Sequence, residues 1–176
     1  MVKERFENFP RGDIRADKRS FDIDRTDDTF VGSEKRCKYL YKVARRNKLT
    51  LDEQTKILDV GSGNAQFLKE LEERGLRPVG IDALPRGRGE GLQIRGRIEQ
   101  LPFADESFDV VMSALVFDAS IYYQNQTEMF EEIVRVLKTG GLYIAMEPFT
   151  HLTPNGLKLI EEDWHKKEKV YKKIET

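Results

Sequence analysis

Residues 57–67, with the sequence ILDVGSGNAQF, constrain the fold of this chain more than any other stretch. The apolar run 57–60 predicts a short buried strand, although it contains one acid, Asp59. Gly61 and Gly63 follow at once, and a helical pattern begins after them. Glycines at the end of a buried strand let a ligand approach the backbone closely, because no side chain stands in the way. The stretch therefore predicts a nucleotide-like ligand at the first strand-to-helix turn.

Strands and helices alternate along the chain. Apolar faces with helical spacing predict helices over residues 33–48, 64–74, 127–138 and 154–168. Short apolar runs predict strands over residues 56–60, 77–82, 92–96, 108–117 and 140–148. This alternation predicts an α/β fold with a Rossmann-like, doubly wound and mostly parallel sheet. Ligands of such sheets bind at the carboxyl ends of the strands, which is where the glycine turn lies.

The C-terminal region predicts a sheet that is shortened at this end. Thr153 and Pro154 fit an N-cap and the first residue of a helix. That helix would turn Leu157, Ile160 and Trp164 inward. The remaining segment KVYKKIE supplies one strand at most, so the fifth strand is expected to be an exposed edge. The N-terminal arm or the second subunit of a homodimer would then cover it.

Composition excludes several classes of protein. The chain has 176 residues, a net charge of −1 and no apolar run near the ~20 residues of a membrane-spanning helix. The charged start MVKERFENF does not have the pattern expected of a signal peptide, so none is expected here. One cysteine and two histidines argue against a dedicated metal site, and a cytoplasmic location is expected.

One globular domain is expected over residues 33–176, preceded by an N-terminal arm over residues 1–32. Its predicted parts are a basic helix (33–50), a cofactor-binding core (55–148) and a C-terminal helix and tail (149–176). The basic helix has Ser33 as its predicted N-cap.

Basic side chains dominate the first predicted helix. They are Lys35, Arg36, Lys38, Lys42, Arg45, Arg46 and Lys48, against the single acid Glu34. One interpretation is a solvated helix face, and the other is a patch for an anionic partner such as RNA. No aromatic stacking platform accompanies the charges, so the solvated face is favoured.

Four motifs in order make the chain similar to the class I S-adenosylmethionine-dependent methyltransferases. The first motif of that family, D/E-x-G-x-G-x-G, reads Asp59 to Ala65 here, with alanine in place of the last glycine. The segment 79–82 (VGID) matches the acidic end of the second strand. Residues 101–113 (LPFADESFDVVMS) and 135–141 (RVLKTGG) match the segments that lead into the fourth and fifth strands. The resemblance implies a methyltransferase fold, S-adenosylmethionine as cofactor and methyl transfer as the activity.

The resemblance also implies cofactor-binding roles for seven residues. They are Asp59, Gly61, Gly63, Asp82, Ala83, Ile98 and Ser113. Asp59 and the amides of the glycine turn would hold the methionine part, and Asp82 would accept the ribose hydroxyls. Ala83 and Leu84 would pack on the adenine.

The adenine side departs from the family pattern. Arg97 stands where relatives often carry an acid that binds the adenine amine. Either the Ile98 backbone reads the adenine alone, or Glu99 helps it, or the affinity for the cofactor is modest. No P-loop pattern competes with this interpretation.

Acceptors of the resembling family bind at the carboxyl ends of the fourth and fifth strands. The catalytic candidates are Asp118, Tyr122 and His151, and Glu147 is a further candidate base, although each also fits a structural role. The expected acceptor is a small molecule, with RNA as the alternative. A non-catalytic cofactor-binding or scaffold subunit is the alternative from a different class.

Overall fold

A computed structural model gives the structure of residues 32–83, 85, 93–117, 126–147 and 154–175. Its helices are α1 (Ser33–Arg46), α2 (Gln66–Glu73) and α3 (Gln126–Val136). Its strands are β1 (Lys56–Val60), β2 (Arg77–Asp82), β3 (Gln93–Arg95), β4 (Phe108–Ala114), β5 (Leu137–Met146), β6 (Leu157–Asp163) and β7 (Glu168–Lys173). They form one seven-stranded sheet in the order β3-β2-β1-β4-β5-β7-β6. Because β1 to β5 pair in parallel, the predicted fold class is confirmed.

The register of the parallel strands brings their carboxyl ends to one edge of the sheet. Val60 of β1 lies beside Ile81 of β2 and Ser113 of β4. Ser113 in turn lies beside Ala145 of β5. All four residues are buried or nearly so, as expected of parallel strands that are covered on both faces. The residues that follow these four positions are therefore neighbours at one edge.

Helices cover both faces of the sheet. On one face, α1 and α2 pack through apolar residues such as Leu40 and Phe67. On the other face, α3 packs through Phe130 and its neighbours. Alternate residues of β1 contribute to the two cores, with Ile57 on the α1–α2 side and Leu58 on the α3 side. Asp59, the next residue, therefore belongs to the α1–α2 side.

The helix predicted over 154–168 is wrong. β6 and β7 form an antiparallel hairpin instead, and β7 pairs antiparallel with β5. Trp164, expected to face inward, lies in the hairpin turn and is 65% exposed. The predicted exposed edge at β5 is therefore wrong as well, because β7 satisfies its N–H and C=O groups without the arm or a second subunit. The sheet is not shortened.

The start of α1 also differs from the prediction. Gly32 is the N-cap residue, and no side chain caps the helix. Ser33, the predicted N-cap, is the first helical residue, and its Oγ donates to Glu70 Oε1 of α2 at 2.8 Å. This bond fixes the start of α1 on α2, next to the end of β1.

Candidate functional site

The turn after β1 contains three residues with left-handed backbone. Gly61 has φ +72°, Gly63 has φ +54° and Ala65 has φ +61°. A Cβ at Gly61 would collide with Val116, whereas a Cβ at Gly63 would meet nothing within 4 Å. Gly61 is therefore required by packing within the chain, and Gly63 faces open space from which a ligand can reach the backbone. The left-handed alanine costs about 1 kcal/mol relative to glycine.

Asp82 and Gln93 hold this turn from the neighbouring strands. The Gly63 amide donates to Asp82 Oδ2 at 2.8 Å, at the end of β2. From β3, Gln93 Nε2 donates to Ser62 Oγ at 2.7 Å and to the Gly63 carbonyl at 2.9 Å. Asp82 is half-buried and stands beside the open face of Gly63. Gln93 is not among the residues predicted from the sequence, because nothing local distinguishes a glutamine at the start of a short strand.

Asp59 forms a buried ion pair with Arg36. Asp59 is 0% exposed, and its Oδ1 accepts a hydrogen bond from Arg36 Nη2. Burial raises the pKa of the Asp59 carboxyl, while the Arg36 guanidinium opposes the shift and the Asp82 carboxylate adds to it. Two atoms of the pair, Asp59 Oδ2 and Arg36 Nε, are buried without a hydrogen-bond partner. Each such atom costs about 1–3 kcal/mol, so a ligand that engages both would recover that cost.

Arg36 does not belong to the solvated helix face predicted for the basic residues of α1. It is only 8% exposed, and its guanidinium lies over the Phe67 ring at 4.0 Å. Helical spacing carries the signal, because Arg36, Leu40 and Val43 share one side of α1 and the latter two are fully buried. A basic residue on the apolar side of a helix predicts a buried partner.

The other basic residues of α1 are exposed, and several have acidic neighbours. Lys38 pairs with Glu34 at 2.7 Å, and Arg46 pairs with Glu161 of β6 at 3.0 Å. Acids of the same helix and of β6 thus balance part of the basic charge, which reduces its attraction for an anionic polymer.

The residues at this edge fit S-adenosylmethionine, the cofactor that the resemblance implies. Its ribose carries hydroxyl donors, and a carboxylate such as Asp82 accepts them. Its methionine end carries an ammonium group, which matches the orphaned oxygen of Asp59. The open space at Gly63 leaves room for a ligand beside the Asp82 carboxylate.

A second polar cluster lies on the α3 side of the same edge. Glu147 follows β5, is 2% exposed and accepts the Val116 amide at 3.0 Å and the Phe117 amide at 3.2 Å. The Ser113 and Tyr143 hydroxyls form a hydrogen bond of 2.8 Å. Burial raises the pKa of Glu147 to about 7, although the Val116 amide, the Ser113 hydroxyl and the Phe117 amide oppose the shift. Glu147 therefore fixes the segment that follows β4.

The other predicted site residues differ in their burial, and some of them lie outside the described residues. Ala83 is half-buried directly after β2. Ile98 is 6% exposed and its side chain packs in the α3-side core, so its backbone is the part that a ligand could contact. Ser113 is fully buried, and its predicted cofactor contact stays a prediction. The predicted residues Leu84, Asp118, Tyr122, His151 and the N-cap Thr153 lie outside the described residues.

Three further observations bear on the type of site. Among the residues that the structure describes, no group of three His, Cys, Asp or Glu side chains is placed to hold a metal ion. Within the same ranges, no helix is both long and apolar enough to cross a membrane. A cavity of about 220 Å³ lies at the opposite edge of the sheet, between Lys48, Asp109 and Lys172. It is remote from the glycine turn.

Comparison with known proteins gives one family. The family described as "Methyltransferase domain" matches residues 58–145. The chain is 33% identical over 97 residues to the biotin biosynthesis bifunctional protein BioHC of Cellvibrio japonicus, which covers 51% of this chain and 19% of that protein. It is 44% identical over 71 residues to the phthiotriol/phenolphthiotriol dimycocerosates methyltransferase of Mycobacterium tuberculosis, covering 40% of this chain and 24% of that protein.

Among solved structures, a Haloferax volcanii methyltransferase in complex with the Trm112 methyltransferase activator has a similar fold. The TM-score is 0.54 at 22% identity, and the match covers 74% of each chain. By contrast, the chain spans only 19% and 24% of the lengths of the two curated relatives named in the previous paragraph.

Proposed function

The chain belongs to the methyltransferase-domain family, and from this premise we propose that it transfers the methyl group of S-adenosylmethionine to a small-molecule acceptor. Membership confirms the resemblance to the S-adenosylmethionine-dependent methyltransferases that the four sequence motifs indicated. S-adenosylmethionine is accordingly the cofactor of this family. The acceptor and its methylated atom are the part that we propose.

One observation carries the proposal. The half-buried Asp82 carboxylate accepts the Gly63 amide at 2.8 Å, directly beside the only glycine of the turn whose missing side chain leaves open space. A carboxylate that serves as a turn former alone does not need open space at its partner. The arrangement supports a ligand with vicinal hydroxyl groups, because a carboxylate such as that of Asp82 accepts hydrogen bonds from O–H donors.

S-adenosylmethionine supplies an electrophilic methyl group next to a positively charged sulfur. The chain's part is to orient it and to keep the acceptor in line, because such a displacement depends mainly on positioning. Asp82 places a carboxylate at the edge of the sheet that receives this cation, whereas the Asp59 charge is compensated by Arg36. Glu147 positions the segment after β4, next to which the acceptor of the proposed reaction would bind.

A small-molecule acceptor is favoured over RNA by the state of α1. Arg36 is buried in an ion pair with Asp59, and Lys38 and Arg46 pair with Glu34 and Glu161. The remaining exposed charges of this helix support weak electrostatic attraction, without an aromatic platform for bases. RNA methylation would instead require affinity that falls steeply with salt.

The first test is calorimetry with S-adenosylhomocysteine, the product form of the cofactor. Asp82→Ala should weaken binding by about 1.5–3 kcal/mol, as expected for lost hydrogen bonds to a charged acceptor. Glu72→Ala, which removes an exposed carboxylate from α2, is the matched control and should bind as the wild type does.

Two results would contradict the proposal. Equal affinities of the wild type and Asp82→Ala would remove Asp82 from the site. Tight cofactor binding without transfer of a labelled methyl group to any acceptor in a panel of small molecules and RNA would favour the non-catalytic alternative.

A further inference from the structure

The cavity of about 220 Å³ at the amino ends of the parallel strands is lined by three lysines, and we call it the lysine cavity. Its walls come from the end of α1, the start of β4, the first half of β5 and the end of β7. The lysines are Lys48, Lys138 and Lys172, and Asp109 is the one acid among the described residues that line it. Nothing in the proposed methyl transfer uses this edge of the sheet.

The single acid of the lysine cavity neutralises one of its three lysines. Lys138 Nζ donates to Asp109 Oδ1 at 2.6 Å, and Asp109 Oδ2 accepts the Lys56 amide at 2.9 Å. Both oxygens of this carboxylate are therefore occupied. Neither Lys48 nor Lys172 forms an ion pair with any residue that the structure describes. The cavity thus has an excess of two positive charges.

The register of the β6–β7 hairpin adds a further cation next to the cavity. Lys158 of β6 lies directly opposite Lys172 of β7. Like charges in such positions destabilise an antiparallel pair of strands. Glu161, an acid of the same strand β6, is engaged by Arg46 at 3.0 Å. An anion from outside the chain would relieve the repulsion between the two lysines.

The backbone of β5 forms a fixed wall of the cavity with open space in front of it. Gly140 has φ +80°, and a Cβ there would meet only Lys172 Cε, at 4.0 Å. At Gly141 a Cβ would collide with the Lys138 carbonyl at 2.8 Å, so this part of the wall is tightly packed. The Lys172 side chain therefore borders a space in which a ligand can approach the backbone.

We propose that the lysine cavity binds the dianionic phosphate group of a small phosphate monoester. The excess of two cations matches the charge of such a group, which is about −1.5 to −2 at pH 7. Lysine ammonium groups bind phosphate as point charges and do not need the fork geometry of arginine. A nucleic-acid strand would instead require cations along a groove and aromatic side chains for its bases, whereas these lysines line one small cavity.

The bound ester would not be the methyl acceptor. Asp109 in the cavity and Ser113 at the glycine-turn edge both belong to β4, so about 13 Å of strand separates the two places. The phosphate site is therefore distinct from the proposed cofactor site. A phosphate ester and the cofactor would bind at the same time.

The test is a titration of the full chain with glycerol 3-phosphate at constant ionic strength, followed by the amide signals in NMR spectra. The signals of Lys48, Gly140 and Lys172 should shift saturably. Lys172→Gln should lower the affinity about tenfold, as expected for one lost charge-assisted hydrogen bond. Lys69→Gln, which removes an exposed lysine from α2, is the matched control and should bind as the wild type does.

Three further results are expected. The double substitution of Lys48 and Lys172 by glutamine should abolish saturable binding, and the spectrum itself reports that the variant is folded. Affinity should fall between about pH 7 and pH 5, because the monoester loses its second charge near pH 6. Inorganic phosphate should displace the ester, since the two share the dianion that the lysines bind.

Three other results would overturn the proposal. Shifts that grow without saturation, or equal affinities of Lys172→Gln and Lys69→Gln, would reduce the lysines to a solvated surface. Tighter binding of a short single-stranded RNA than of glycerol 3-phosphate, lost in the same variants, would make the surface a nucleic-acid contact. Displacement of glycerol 3-phosphate by S-adenosylhomocysteine would place the ester at the glycine turn instead of the lysine cavity.

Discussion

Asp59 and Glu147 are both buried carboxylates at the same edge of the sheet, but their charges are compensated in different ways. Asp59 lies on the α1–α2 side, and its partner is the side chain of Arg36 from another element. Glu147 lies on the α3 side, and its partners are the Val116 and Phe117 amides. Burial raises the pKa of both carboxyls.

The difference indicates different roles for the two carboxylates, one on the α1–α2 side of the sheet and one on the α3 side. A side-chain partner leaves part of each group unpaired, and here Asp59 Oδ2 and Arg36 Nε have no hydrogen-bond partner. Backbone amides fixed by the fold occupy both oxygens of Glu147, so this carboxylate holds structure in place. Asp59 is therefore suited to binding and Glu147 to positioning.

The largest expected effect comes from removing the carboxylate of the ion pair. Asp59→Ala should lower the free energy of unfolding by about 3–5 kcal/mol, because it leaves the Arg36 guanidinium buried without its partner. Urea unfolding at neutral pH measures this loss. The exposed Glu72→Ala variant should stay within about 0.5 kcal/mol of the wild type. A loss below about 1 kcal/mol for Asp59→Ala would mean that Arg36 finds another partner or reaches water.

Local patterns predicted the parallel half of the sheet well. β1 and β2 have the predicted bounds, 56–60 and 77–82, because a short apolar run bounded by polar residues and glycine admits little else. Asp59, Gly63 and Asp82 follow from the same pattern, since strand ends in a parallel sheet meet at one edge. This part of the candidate site was therefore predictable.

Long-range contacts decided the rest. Leu157, Ile160 and Trp164 have helical spacing, but the segment pairs with β7, which in turn covers the β5 edge. The N–H and C=O groups of β5 need hydrogen-bond partners only once the sheet has formed, so no local sequence pattern predicts the pairing with β7. The Arg36 partner is likewise distant, 23 residues along the chain. Counting charges placed Arg36 on the surface, whereas its position on the apolar side of α1 indicated burial.

The second prediction concerns the pH dependence of stability, and it separates Glu147 from Asp59. The pKa of Glu147 is raised from 4.5 to about 7 in the folded protein. Between these values the folded state binds more protons than the unfolded chain, so stability falls as the pH rises. The fall amounts to about 3 kcal/mol.

Glu147→Gln should remove this dependence, because glutamine stays neutral and keeps an oxygen for the Val116 and Phe117 amides. Urea unfolding between about pH 5 and pH 8 should show the wild type losing stability relative to the variant. The groups that face Glu147 among the described residues are the Ser113 and Tyr143 hydroxyls, with Arg36 as a more distant charge. The raised pKa of Asp59 is common to both proteins and cancels in the difference. Parallel curves for the two proteins would contradict the assignment of Glu147.

The smallest effect is expected at Ser113, whose hydroxyl connects Tyr143 to Glu147. Ser113→Ala removes the 2.8 Å bond to the Tyr143 hydroxyl and should lower the free energy of unfolding by about 1 kcal/mol at low pH. The Ser113 hydrogen bond also favours the ionised form of Glu147, so its loss should raise the pKa of that carboxyl further. The destabilisation should therefore be larger at about pH 8, where Glu147 is ionised, than at about pH 5. An equal loss at both pH values would show that Ser113 serves Tyr143 alone, and that the amides by themselves hold Glu147 in place.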